Sequence, residues 1–244
     1  MMKQSKLILS FGALFLACTL LLCVLFQSAL RTVNNAGTAV AAQVTPTLIL
    51  DAGHGGEDAG AIGANGVLEK NLNFTVTHAL AQLLRMAGYN VVETRTEDRL
   101  LCEASTPKGH RKQRDLSNRL RVSEENPDSV FISIHMNTFP LPSCTGTQIW
   151  YSPNDPASIE WAKSLQASVK EHLQPDNNRK IKAATSAIYL LRHATNPAIL
   201  IECGFLSSPS ECEQLCDSAY QQALTLTLFA AITAKIQADT CAQG

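Results

Sequence analysis

The sequence predicts an α/β domain with a mostly parallel sheet flanked by helices, preceded by one N-terminal transmembrane helix. The expectation rests on short apolar runs that stop at glycine or a reactive side chain, amphipathic stretches between them, and an uncharged apolar stretch near the N-terminus. Apolar runs of four to eight residues bounded by turn signals read as buried strands, and strands alternating with helices favour parallel pairing. At 244 residues and 45% hydrophobic, the chain can bury one sizeable core and is too apolar to be disordered. Lysine plus arginine total 20 against 21 acids, so no field points to nucleic acid, and none is expected as a partner.

Residues 1–6, with Lys3 and Lys6, are expected to stay in the cytoplasm, and the uncharged run Leu7 to Leu30 to form a transmembrane signal-anchor. The membrane is thus an expected partner through residues 7–30, with everything after Arg31 on the extracytoplasmic side. A cleaved signal peptide ending near Ala39, Val40 and Ala41 is the alternative and would yield a secreted form, but that site lies far beyond the apolar run. Residues 31–44 turn to Asn, Gly, Thr and Ala and read as a linker, so the folded domain is expected over 45–244.

Within that domain Thr47 to Leu50 predicts the first strand, running into a loop from Asp51 to Val67 with Gly53, Gly55, Gly56, Gly60, Gly63 and Gly66. Leu72, Val76, Leu80, Leu83, Leu84 and Ala87 share a helical face that Gly88 ends, with Glu69 at its first turn. Tyr89 to Thr94 predicts a second strand. A polar excursion over Thr96 to Asp115 leads to a helix expected from about Leu116 to Glu125. Lys108, Arg111, Lys112, Arg114, Arg119 and Arg121 surround it and read as a solvated basic face rather than a substrate-attracting one. Val130 to Ile134 predicts a strand ending at His135, and Gly146 to Tyr151 another. Ile159 to Leu173 reads as a helix, Ile188 to Leu191 as a short apolar piece, and Ala198 to Ile201 as a strand running into Glu202. Tyr220 to Ala238 closes the domain as a helix.

In a parallel sheet the carboxyl ends of the strands converge at one edge, which would bring His54, His135 and Glu202 together with Glu69 beside them. Two imidazoles and one carboxylate, with one position open to water, form the ligand set of a catalytic zinc site, while the other carboxylate is free for proton transfer. Such a set implies hydrolysis of an amide. Spacing alone does not say which glutamate binds the metal. Taken singly, either histidine reads equally as a hydrogen-bonded structural residue, and Glu69 as a charge favoured by the helix dipole. Glu202 follows an apolar strand, and a buried carboxylate needs a partner.

The blocks LILDAGHGGEDAGAIG, GVLEKNLN, SIHMN and AILIECGFLSSPSE resemble the zinc-dependent N-acetylmuramoyl-L-alanine amidases, bacterial cell-wall enzymes with a phosphorylase/hydrolase-like α/β fold. The resemblance spans Thr47 to Ile236. It implies Zn2+ held by His54, Glu69 and His135, Glu202 as the catalytic residue, and peptidoglycan as substrate. The segments RKQRDLSNR, GTQIWYS and YLLRHATNPA are similar to the spore-associated, germination-type subgroup, implying a role in forming muramic-δ-lactam in the spore cortex. A vegetative wall amidase is the alternative, and the need for an accessory lipoprotein is left open. Ala52, Met136 and Ser208 depart from the family pattern, and none of these departures removes a ligand. Asn137 is a candidate for a supporting or substrate hydrogen bond and Arg192 for a substrate contact, each with a structural role as the alternative. Of the eight cysteines, Cys203 is expected in the core and Cys212 with Cys216 on a buried helical face.

Overall fold

The computed structural model describes residues 45–243; the expected cytoplasmic segment, membrane anchor and linker, 1–44, lie outside the described residues. Six strands form one sheet in the order β2-β1-β3-β6-β4-β5. They are β1 (Thr47–Ala52), β2 (Val91–Glu93), β3 (Ser129–Asn137), β4 (Gln148–Tyr151), β5 (Lys182–Ala183) and β6 (Ala198–Phe205). All neighbouring pairs are parallel except β4 with β6, so the sheet is mixed and mostly parallel. The helices are α1 (Glu69–Met86), α2 (Arg111–Glu124), α3 (Ala157–His172), α4 (Tyr189–His193), α5 (Pro209–Cys216) and α6 (Ser218–Gln243). Among the described residues no helix is long and apolar enough to cross a membrane.

Alternation along the strands splits the core between two faces. Leu48, Leu50, Ile132, Ile134, Ile199 and Ile201 pack with Leu80, Leu84, Leu165, Leu228 and Ile232, covering one face with α1, α3 and α6. Ile49, Phe131, Ala198 and Leu200 pack with Leu120, Leu190 and Leu191 of α2 and α4 on the other. Full burial of each such side chain contributes about 1.5–3 kcal/mol, so both layers are needed to hold the central strands. Cys203 and Cys212 are buried as expected, while Cys216 is only half-buried. Helix α1 stops as its sequence predicts: Gly88 takes φ +88°, its N–H donates to Arg85 O at 3.0 Å, and that of Tyr89 donates to Leu84 O at 3.0 Å.

Several elements differ from expectation. β2 covers only Val91–Glu93 of the expected Tyr89 to Thr94, because Tyr89 is spent on the helix cap. Helix α2 starts at Arg111 rather than Leu116, preceded by a 3-10 turn over Lys108–His110. Its first turn is held from outside: Arg111 donates to Thr106 O at 2.8 Å and Ala104 O at 3.0 Å and pairs with Glu57 at 2.9 Å. The apolar piece at Ile188 to Leu191 is helical, and α5 and β5 carry too short a pattern to be seen in sequence.

The solvated basic face needs a correction at Arg119. Lys108, Lys112, Arg114 and Arg121 are exposed, but Arg119 is buried against the sheet, pairing with Asp51 at 2.5 Å and Asp115 at 2.8 Å. Asp51 is a carboxylate inside a β-strand, and its oxygens also accept from Thr94 Oγ1 at 2.7 Å and Ser133 Oγ at 2.6 Å. Burial works to raise its pKa, yet Arg119 and the two hydroxyls hold it below the ordinary carboxylate value. Removing one member of a buried pair strands the other charge, so Arg119→Ala is expected to cost about 3–5 kcal/mol of unfolding free energy. Urea denaturation followed by circular dichroism measures this, and a loss under about 1 kcal/mol, typical of an exposed pair, would contradict it.

Candidate active site

The loop between β1 and α1 is shaped so that one histidine can turn back over the sheet edge. His54 has φ +61°, a left-handed conformation that costs a non-glycine residue roughly 1–2 kcal/mol. Arg119 holds it there, donating from Nη2 to His54 O at 2.7 Å and from Nη1 to Ala52 O at 2.8 Å. Arg95 clamps the same turn from the end of β2, donating to Ala52 O at 2.9 Å, Gly53 O at 3.2 Å and Lys70 O at 2.9 Å. A Cβ on Gly53 would lie 2.2 Å from His135 Nε2, and one on Gly60 2.5 Å from Glu69 Oε2. Both glycines make room for the side chains that meet there.

Those side chains are His54, Glu69 and His135, whose donor atoms all lie within 4.8 Å of one another. His54 Nε2 is 3.2 Å from Glu69 Oε2, and His135 Nδ1 is 2.9 Å from Glu69 Oε1. Glu69 is buried at the first turn of α1, where the helix dipole favours a carboxylate. It also accepts from Ala61 N at 2.8 Å, Met136 N at 3.1 Å and Asn73 Nδ2 at 3.2 Å. Burial opposes its charge, but the two imidazoles and these donors win, and its pKa falls far below the ordinary range. Burial likewise opposes a charged His54; Asp58 Oδ2, 2.9 Å from Nδ1, together with Glu69 outweighs it and raises the pKa to about 9.

Glu202 stands directly beside His135 in the β3–β6 register. Its environment is the reverse of Glu69's: the residue is half-buried, its Oε2 is shut off from solvent, and Oε2 has no hydrogen-bond partner among the described residues. Burial pushes its carboxyl up to about 7, with His135 pulling the other way. One carboxylate is therefore held ionised and the next is poised to take up or release a proton near neutrality.

The structure thus gathers His54, Glu69, His135 and Glu202. Asn137 lies two residues past His135 on β3, and Arg192 lies on α4. Asn137 Oδ1 accepts from Thr138 N at 2.8 Å, and Arg192 is exposed on α4, with its carbonyl accepting from Asn154. Sequence reasoning missed Asp58, Asn73, Arg95 and Arg119. Asn73 was accessible in principle, being one helical turn after Glu69 on the same face. Arg119 gave no signal inside its basic run.

An α/β sheet with paired imidazoles and carboxylates at its carboxyl edge defines a hydrolase with a candidate metal centre. The family model described as N-acetylmuramoyl-L-alanine amidase matches residues 48–234, and the chain belongs to that family. It is similar to the germination-specific N-acetylmuramoyl-L-alanine amidase of Bacillus subtilis, 34% identical over 187 residues covering 76% of this chain and 77% of the relative. The amidase LytC of the same organism is 27% identical over 73% of this chain but only 33% of its own length. Among solved structures, the CwlD amidase of Clostridioides difficile, in complex with the GerS lipoprotein, superposes with a TM-score of 0.75 at 34% identity, covering 79% of this chain and 98% of that one. An N-acetylmuramoyl-L-alanine amidase from Clostridium difficile 630 gives 0.69 at 27% identity, covering 79% and 97%.

The raised pKa of Glu202 has a measurable sign. In metal-free protein the folded state holds this proton to about pH 7, whereas the ordinary carboxyl loses it near 4.5. The folded state then binds more protons than the unfolded chain between those values, so this group's contribution to stability falls as pH rises through the window. Glu202→Gln is expected to gain stability relative to wild type at pH 7 compared with pH 4 in chelator-treated protein. An identical difference at both pH values in denaturant titrations would count against this account.

Proposed function

We propose that this amidase hydrolyses the amide between the lactyl group of N-acetylmuramic acid and L-alanine of the peptidoglycan stem peptide, with zinc held by His54, Glu69 and His135 and with Glu202 as general base and acid. The observation that carries the reading is the donor cluster within 4.8 Å set beside a carboxyl whose buried Oε2 has no partner among the described residues. The donor set fits the metal: tetrahedral zinc with bonds of about 2.0–2.2 Å spaces its ligand atoms roughly 3.3–3.5 Å apart. Glu69 meets His54 through Oε2 at 3.2 Å and His135 through Oε1 at 2.9 Å, so both imidazoles face the carboxylate that would share the ion. Zinc in such a site lowers the pKa of water and polarises a carbonyl.

The protein's own part is to hold and move protons. Glu202, with a pKa of about 7, takes a proton from the attacking water and returns it to the nitrogen of L-alanine as the amide breaks. Its Oε2, shut off from solvent, is sheltered from bulk water that would compete for that proton. Asp58 orients His54 from behind, as a carboxylate does for a metal-binding imidazole. Likeness to the germination-specific relative supports action in the spore cortex, and the apolar run at 7–30 supports anchoring of domain 45–244 on the outer face of the membrane.

Glu202→Ala is expected to retain zinc, measured by elemental analysis, and to lose hydrolysis of purified peptidoglycan by at least about 100-fold, the usual contribution of a general base. His54→Ala and His135→Ala are expected to lose both. Products beginning with L-alanine and free of sugar identify amidase action by mass spectrometry; near-normal turnover by Glu202→Ala would overturn the assignment. Because His54 holds its proton up to about pH 9 without metal, zinc affinity is expected to fall about tenfold per pH unit as pH drops below that value. Competition with a chromophoric chelator across pH 6 to 9 reads this directly.

A further inference from the structure

The sheet register extends the site beyond Glu202. Glu202 is paired with His135 on one side and with Gln148 of the antiparallel β4 on the other, so the three side chains stand in one row on one face. Gln148 is buried, donates from Nε2 to Lys180 O at 2.8 Å, and accepts at 3.5 Å from Arg179 Nη1. Arg179 Nε donates to Thr145 O, and its guanidinium carbon lies over the Phe205 ring, 4.2 Å from the centroid. A rigid ring and a backbone carbonyl therefore fix its direction.

Its charge acts on Glu211 from a distance and is not closed into a direct ion pair. Arg85, Arg111 and Arg119 each pair with an acid, whereas Arg179 has no ion-pair partner among the described residues. Glu211 is the neighbouring carboxylate, but Oε1 accepts from Gly146 N and Oε2 from Phe205 N, both at 2.8 Å. Lys182, over the Trp150 ring one strand further out, adds positive charge to the same margin. Arg179 also lines a cleft of about 730 Å³ bounded by Gly146, Asn177 and Glu211.

We propose that Arg179 is a specificity-determining residue that binds a carboxylate on the leaving peptide, about two residues beyond the scissile amide. The distance follows from the fold. Gln148 is one strand spacing, about 4.8 Å, from Glu202. Arg179 lies just past it, and an extended peptide advances about 3.3–3.6 Å per residue. This rests on the amidase reading above and adds to it the charge of the substrate.

The test compares two substrates with the full-length protein: N-acetylmuramoyl-L-alanyl-D-isoglutamine and its counterpart with a free carboxylate in place of the amide. Wild type is expected to favour the carboxylate form in kcat/KM by roughly tenfold to a hundredfold, the range for a charged hydrogen-bond partner, chiefly through KM. Arg179→Met is expected to bring that ratio to about one, and Arg179→Lys to restore part of it. A merely structural role would lower both rates together and leave the ratio intact, which would overturn the proposal, as would a wild type without preference. Cleavage of neither substrate by wild type would overturn the amidase reading itself, and this proposal with it.

Discussion

The site hangs from one buried ion pair. Asp51 lies near the carboxyl end of β1, one strand in from the β2 margin of the sheet, with Arg119 reaching it from α2. An unpaired carboxylate there would be prohibitive, and so would an unpaired guanidinium, so each makes the other possible. Once placed, Arg119 has donors to spare, and it uses them on the carbonyls of Ala52 and His54. The left-handed turn at His54 is thereby held by a residue whose own position is set by the core. Arg95 repeats the arrangement from the neighbouring strand. Because the donors are forked and planar, lysine at either position could not serve as many carbonyls.

Chemical asymmetry at the site comes from where two glutamates sit rather than from what they are. Glu69, at a helix start, collects backbone, amide and imidazole donors around its charge. Glu202, in the middle of a strand between His135 and Gln148, lacks a donor at its buried Oε2. The first is held as an anion and the second is pushed towards neutrality, although they face the same pair of histidines. Opposite pKa shifts in adjacent carboxyls separate holding a cation from moving a proton.

Legibility in the sequence followed the range of the interaction. The apolar runs that lead into His135 and Glu202, and helix α1 with its glycine stop, are written in local periodicity and capping, although β3 continues past His135 to Asn137 and β6 past Glu202 to Phe205. The start of α2 is not so written, because its first turn is stabilised by Glu57 and by loop carbonyls rather than by its own apolar face. Arg119 looks like its basic neighbours along the chain and differs from them only by what lies opposite it in space. The reversal of β4 is equally silent, since a strand's direction depends on the path of its connections.

The sequence alone determined that this is an α/β chain whose strands deliver histidine and glutamate to one edge, and its motif blocks carried the resemblance to a family of amidases. These features depend on side-chain type and near-neighbour spacing, which a linear chain displays. Only the tertiary structure decided that Glu69 sits between the two imidazoles while Glu202 stands aside with a free oxygen. It also showed that Asp58, Arg95 and Arg119 hold His54 in place, and that Gln148 and Arg179 continue the row past Glu202. Each of these is a matter of distance and burial between residues remote in sequence, and both arise when the sheet closes.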